Sequence, residues 1–113
     1  MREYLLIFIT APTGDPAQNI AETLVSEKLA ACVNIIHGVS STYSWKGIIE
    51  HETEDLLLVK TRAELLEPLT QKVIEIHPYD VPEVIAVSLE AGATPYLQWI
   101  DNVIKTTDED KKS

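Results

Sequence analysis

The chain has 113 residues, 45% of them apolar, and carries 9 Lys+Arg against 18 Asp+Glu, a net charge of -9 at pH 7. That length and apolar content suit one domain around a single core, and the acidic excess argues against nucleic acid or an anionic membrane as a partner, since both need basic patches. No window approaches the roughly 20 apolar residues of a membrane span, and the N-terminal apolar run is too short for a secretory signal, so a cytoplasmic protein is the expectation. Residues 1–105 read as the single domain and 106–113 as a disordered polar tail.

Tyr4 to Ile9 is a continuous apolar run of β-formers, the mark of a strand covered on both faces, and Thr10-Ala11-Pro12-Thr13-Gly14 is expected to break it. Asp15 fits an N-cap, Pro16 the first helical position and Gln18 the capping-box spacing. Ala17, Ile20, Ala21 and Leu24 recur at helical spacing, which predicts a helix to about Leu29. Cys32, the single cysteine, is flanked by Ala30, Ala31 and Val33 and reads as a small buried core residue.

Val33 to Trp45 alternates apolar odd positions with polar even ones, a strand pattern. Lys46-Gly47 makes a hairpin turn into a third strand, Ile48 to about Thr61. A two-residue loop would set Tyr43 against Glu50 and mix the faces, so an odd, three-residue loop with Gly47 left-handed is expected. Both arms reach roughly twice the usual 5–6 residues of a strand. They should run past the core and expose Tyr43, Trp45, Ile48 and Ile49, a liability unless a neighbouring subunit covers them.

Leu66, Leu69, Val73 and Ile76 give a second amphipathic helix. Pro68 is tolerable only in its first turn, so residues 63–66 form a looser lead-in. His77-Pro78-Tyr79-Asp80-Val81-Pro82-Glu83 follows, a rigid, extended and polar junction. Val84 to Leu89 is a fourth strand. Thr94-Pro95 starts a terminal helix carrying Leu97, Ile100, Val103 and Ile104. The order βαββαβα is that of an α+β, ferredoxin-like split-βαβ sandwich, with both main helices on one sheet face and the other face wet or shared with partners.

The three histidines share no metal-ligand spacing. His37, beside a Gly38 that can bulge and reset the strand phase, suits a hydrogen-bonded structural role, and His51 a solvated one. Glu50, Glu52 and Glu54 alternate onto one strand face about 6.5 Å apart; they are hard donors spaced too widely to chelate one ion together. A phosphate loop, a nucleophile motif and a cysteine pair are all lacking, which leaves enzymatic activity open but unsupported by the residues.

Several motifs occur together and in order: Thr10-Ala11-Pro12, Lys28 to Asn34, Tyr43-x-Trp45-x-Gly47, Lys60-Thr61, His77-Pro78-Tyr79-x-x-Pro82-Glu83 and Tyr96-Leu97-x-Trp99. As a set they resemble the CutA family of divalent-cation tolerance proteins, over residues 4 to about 104. The resemblance implies a ferredoxin-like protomer in a tight homotrimer, cytoplasmic and non-enzymatic, linked to tolerance of divalent metals, with copper the usual candidate and no cofactor required. Some members place a Cys before Thr-Ala-Pro and a second His before His-Pro-Tyr; here those positions are Ile9 and Ile76. His77 is therefore the metal candidate, a weak Cu(II) ligand by itself. Trp45, Lys60, Tyr79 and Glu83 are expected to line an intersubunit crevice beside it. A trimer shaped like the PII signalling proteins is a second implication, its clefts taking a small anion at Lys60 and Arg62; a purely structural trimer is a third.

Overall fold

The computed structural model describes residues 3–105, so the expected tail 106–113 lies outside the described residues. In chain order the elements are β1 Tyr4–Pro12, α1 Asp15–Ser26, β2 Cys32–Trp45, β3 Ile48–Arg62, a 3₁₀ turn Ala63–Leu65, α2 Leu66–Ile76, β4 Val84–Leu89 and α3 Thr94–Val103. The four strands form one sheet in the order β2-β3-β1-β4, and every neighbouring pair is antiparallel. Each helical crossover therefore joins two parallel strands with a third inserted between them. α1 and α2 pack together on one sheet face, where Ile7, Ile9, Ile20, Leu24, Leu57, Val59, Leu69 and Val73 are wholly buried. A smaller cluster of Ala31, Leu65, Ile100 and Ile104 seats α3 at the sheet's end.

Several boundaries differ from the sequence expectation for identifiable reasons. β1 does not stop at Ile9, because Thr10, Ala11 and Pro12 go on pairing with Leu56, Asp55 and Glu54. α1 begins with Asp15 inside the helix: Gly14, with φ of 94°, takes the cap position, so the capping box does not form and the Gln18 amide bonds Glu22 instead. α1 also ends at Ser26, short of Leu29, because Lys28 turns left-handed (φ of 60°) and the Leu29 and Ala30 N–H groups fold back on the Leu24 carbonyl. α3 likewise begins with Thr94 inside the helix and Ala93 in the cap position. The lead-in to α2 is the 3₁₀ turn, which leaves Pro68 in the first helical turn as its chemistry requires.

The hairpin turn departs most. Trp45 pairs with Ile48 and Tyr43 with Glu50, so the loop is the two residues Lys46 and Gly47, with φ of 52° and 79°. Two positive φ values make a primed turn whose twist matches the strands, and the three-residue loop is not formed. The side chains nevertheless sort by face, because β2 bulges: between Ile36 (opposite Leu56) and Val39 (opposite Glu54) it carries one residue more than β3. Odd positions before the bulge face the helices; odd positions after it face the open side. The arms overrun the core as expected, leaving Tyr43, Trp45, Ile48 and Ile49 exposed. The molecule is 52 Å long, with a Cα radius of gyration of 15.1 Å, against about 13 Å for a compact domain of this length.

Candidate functional site

The sheet face opposite α1 and α2 is open. Ile36, Ile85 and Val87 project from it at 47%, 58% and 50% exposure, with Leu6, Phe8, Leu56 and Leu58 half-buried between them. Where the hairpin leaves this face, the junction between α2 and β4 folds against it and encloses a hollow of about 590 Å³. Strand alternation brings Glu50, Glu52 and Glu54 into it from β3 and Tyr43 and Trp45 from β2; Tyr79, Asp80 and Glu83 come from the junction. Five carboxylates and three aromatic rings thus share one concave surface whose lining contains no Lys or Arg.

His77 holds the junction in place. Its ring is buried; Nδ1 accepts the Tyr79 backbone N–H at 3.1 Å, so Nε2 carries the proton and donates to the Thr10 carbonyl at 2.8 Å. The ring also lies 4.8 Å from that of Tyr79, tilted by 48°. With both nitrogens engaged, a metal at His77 would have to displace one of these bonds. The Tyr79 hydroxyl in turn donates to Glu54 at 2.9 Å. Burial first, then the proton-accepting Glu54 carboxylate and the charge of Glu52, push the Tyr79 phenol above its ordinary range. At Tyr43 the leading cause is the hydroxyl's bond to Glu52, with partial burial and the charges of Glu52, Glu50 and Glu54 adding in the same direction. Both phenols are thus held as hydrogen-bond donors.

Of the residues singled out from sequence, Trp45, Tyr79 and Glu83 do line the hollow. His77 stands behind it as support. Lys60 does not reach it within the chain: it lies six residues along β3 from Glu54, about 20 Å by strand rise, and its ammonium bonds the Asn34 amide oxygen. Arg62 is buried and bound to Asp101 at 2.9 Å and Glu64 at 2.8 Å. Ile9 is fully buried on the helix face and Ile76 packs against the same core, so both positions serve packing in this chain. Cys32 is not core: it falls on the open parity of β2, half-exposed, with its thiol 4.0 Å from Asn34 and beside the Tyr96 hydroxyl. Among the described residues, no three His, Cys, Asp or Glu side chains are grouped closely enough to chelate an ion.

Asp55 carries no motif signal in the sequence. It is wholly buried, and its carboxylate accepts the Gly14 N–H, the Gly38 N–H and His37 Nδ1, each at 3.2 Å. Burial raises its pKa and these bonds, which outweigh it, leave the carboxyl below its usual value. His37 is hydrogen-bonded as expected, though its ring is largely exposed. His51 is exposed and bonds only Thr42 across the hairpin, at 3.3 Å, among the described residues.

Comparison with known proteins gives one consistent result. The family model described as "CutA1 divalent ion tolerance protein" matches residues 5–103. The chain is 46% identical over 98 residues to the chloroplastic protein CutA of Arabidopsis thaliana, covering 87% of this chain and 54% of that one. It is 43% identical over 95 residues to the divalent-cation tolerance protein CutA of Thermus thermophilus, covering 84% and 92%. This chain thus spans about half of the plant relative and nearly all of the bacterial one. The crystal structure of CutA1 from Oryza sativa superposes with a TM-score of 0.90 at 41% identity, covering 93% of this chain and 96% of that one.

Proposed function

Because the chain belongs to the CutA1 divalent ion tolerance family, we propose that it is a non-enzymatic, cytoplasmic homotrimer of ferredoxin-like protomers that responds to divalent metal ions, and that its hollow is the surface the ions meet. The carrying observation is the hollow's charge: five carboxylates converge there with no basic side chain in the lining. Such a concave acidic surface concentrates cations. The sheet order and the paired helices support the ferredoxin-like reading. The open apolar face and the overlong hairpin support the trimer, since both leave apolar surface that a second copy would cover.

The same charge disfavours an anion in the hollow. Arg62, one of the two cations that an anionic ligand would use, already serves Asp101 and Glu64. Hard oxygen donors suit Mg²⁺, Mn²⁺ or Ca²⁺ better than copper, which prefers imidazole or sulfur. Cu(II) binding through His77 would be weak, because the imidazole is already bonded on both sides.

Calorimetric titration of the full chain with Mn(II), Zn(II) and Cu(II) tests this reading. Glu52→Gln should weaken Mn(II) uptake about fivefold, since one unit of charge at contact distance is worth at least about 1 kcal/mol even in water. His77→Ala, provided it folds with residues 78–83 kept in place, should leave Mn(II) uptake unchanged. Equal Mn(II) binding by the parent and Glu52→Gln, or none by either, would sink the hollow as the cation surface. Loss confined to His77→Ala would move the site to the imidazole.

A further inference from the structure

The hairpin pairs in a register that depends on the bulge. Opposite Asp55, β2 places both His37 and Gly38, and Gly38 has φ of 77°. From Val39 onward Ser41 faces Glu52, Thr42 faces His51 and Tyr43 faces Glu50. If the extra residue joined the ladder instead, every pair beyond it would slip by one. Ser41 would face His51, Thr42 would face Glu50, and the chain would turn through Trp45, Lys46 and Gly47. That three-residue loop is also a common hairpin turn, with Gly47 again supplying the positive φ. Because side chains alternate, the slip would carry Tyr43 from the face of Glu50, Glu52 and Glu54 to that of Ile49 and His51. The hollow would lose its β2 wall.

We propose that Asp55 is a register latch: its buried carboxylate holds the His37–Gly38 bulge, and only the latched pairing turns Tyr43 onto the carboxylate face. The bond from Asp55 to the bulge's own Gly38 N–H carries the inference. Oδ1 accepts the Gly38 N–H, which the bulge leaves out of the ladder, while Oδ2 takes the His37 ring and the Gly14 N–H. In the slipped pairing Gly38 returns to the ladder opposite Glu54 and its N–H leaves Asp55, while His37 falls directly opposite Asp55 and can keep its bond. Taking one of three donors from a wholly buried carboxylate is costly, and the cost falls on the slipped register. The Tyr43–Glu52 contact adds to the same preference from the far end of the arm. Asp55 is thus a positioning residue for the hollow, and this role holds whatever the hollow binds.

Disulfide trapping within one chain reads the register directly. In full-length protein carrying Cys32→Ser, Ser41→Cys with Glu52→Cys reports the latched pairing, and Ser41→Cys with His51→Cys the slipped one. Directly opposed residues have Cβ atoms about 4.5–5.5 Å apart, whereas the alternative pair sits on opposite faces. With Asp55 present, the 41–52 pair should crosslink under mild oxidation and the 41–51 pair should not. Adding Asp55→Ala should raise the 41–51 yield at least about tenfold, the effect of losing one hydrogen bond to a charged group. An unchanged 41–52 yield with no 41–51 crosslink overturns the latch. If Asp55→Ala does not fold, Asp55→Asn replaces it, with the same two outcomes. Deletion of Gly38 is the complementary variant. It removes the extra residue while preserving the pairs from Val39 onward, so it should crosslink 41–52 and become indifferent to the identity of residue 55. A 41–51 crosslink in the deletion protein overturns the proposal as well.

Discussion

The Tyr79 hydroxyl joins the junction to the hairpin strand through Glu54, a residue only 5% exposed. Tyr79→Phe keeps the ring and its packing on His77 but strips the carboxylate of that donor. A hydrogen bond to a charged group contributes about 1.5–3 kcal/mol, so chemical denaturation should show a loss of about 2 kcal/mol; a loss under about 0.5 kcal/mol, the range of an ordinary surface substitution, would mean water replaces the phenol freely. At this scale the sequence was partly legible. The prolines mark residues 77–83 as a rigid polar junction, and Tyr79 and Glu83 of its motif do line the hollow. The roles of His77 and Asp55 are not legible, because their partners come from distant elements. His77 meets Thr10 of β1, and Asp55 meets the loop before α1 and the bulge of β2. Side-chain types alone do not show which backbone groups the fold will bring to them.

Among elements, the hairpin shows how one irregularity alters a pattern-based reading. Its length, its exposed tip and its turn position followed from composition and periodicity. The loop length follows only if the bulge that Gly38 permits is placed in the strand, because the bulge resets the parity of every later position. A primed two-residue turn needs positive φ at both positions, and Lys46 is a poor residue for that conformation. Lys46→Asn should therefore stabilise the protein. Gly47→Ala should destabilise it by about 1 kcal/mol, the cost of a Cβ in the left-handed region, because an added Cβ there meets no neighbouring atom and φ alone is penalised. Paired thermal melts check both signs. A neutral Gly47→Ala would imply that the turn relaxes to another type in solution.

For the whole molecule, order and face assignment were readable because the core strands and helices keep clean periods. The open face was legible only as an unassigned surface, since one chain does not state what covers its outward side. Ile85 and Val87 stand on the edge strand of that face and are more than half exposed on average. If the face joins copies of the chain, Val87→Lys places a charge in an apolar interface, and sedimentation should shift from trimer to monomer while circular dichroism holds. An unchanged assembly would put the interface elsewhere. Residues 3–105 also contain no helix long and apolar enough to cross a membrane.

The hollow as a cation surface is tested most directly by paramagnetic broadening. Substoichiometric Mn(II) added to the isotope-labelled full chain should broaden the amide signals of Glu50, Glu52, Glu54, Asp80 and Glu83 first, and excess Mg²⁺ should restore them. Broadening centred instead on the α1 or α3 surface, or spread evenly over the acidic residues of the chain, would contradict it.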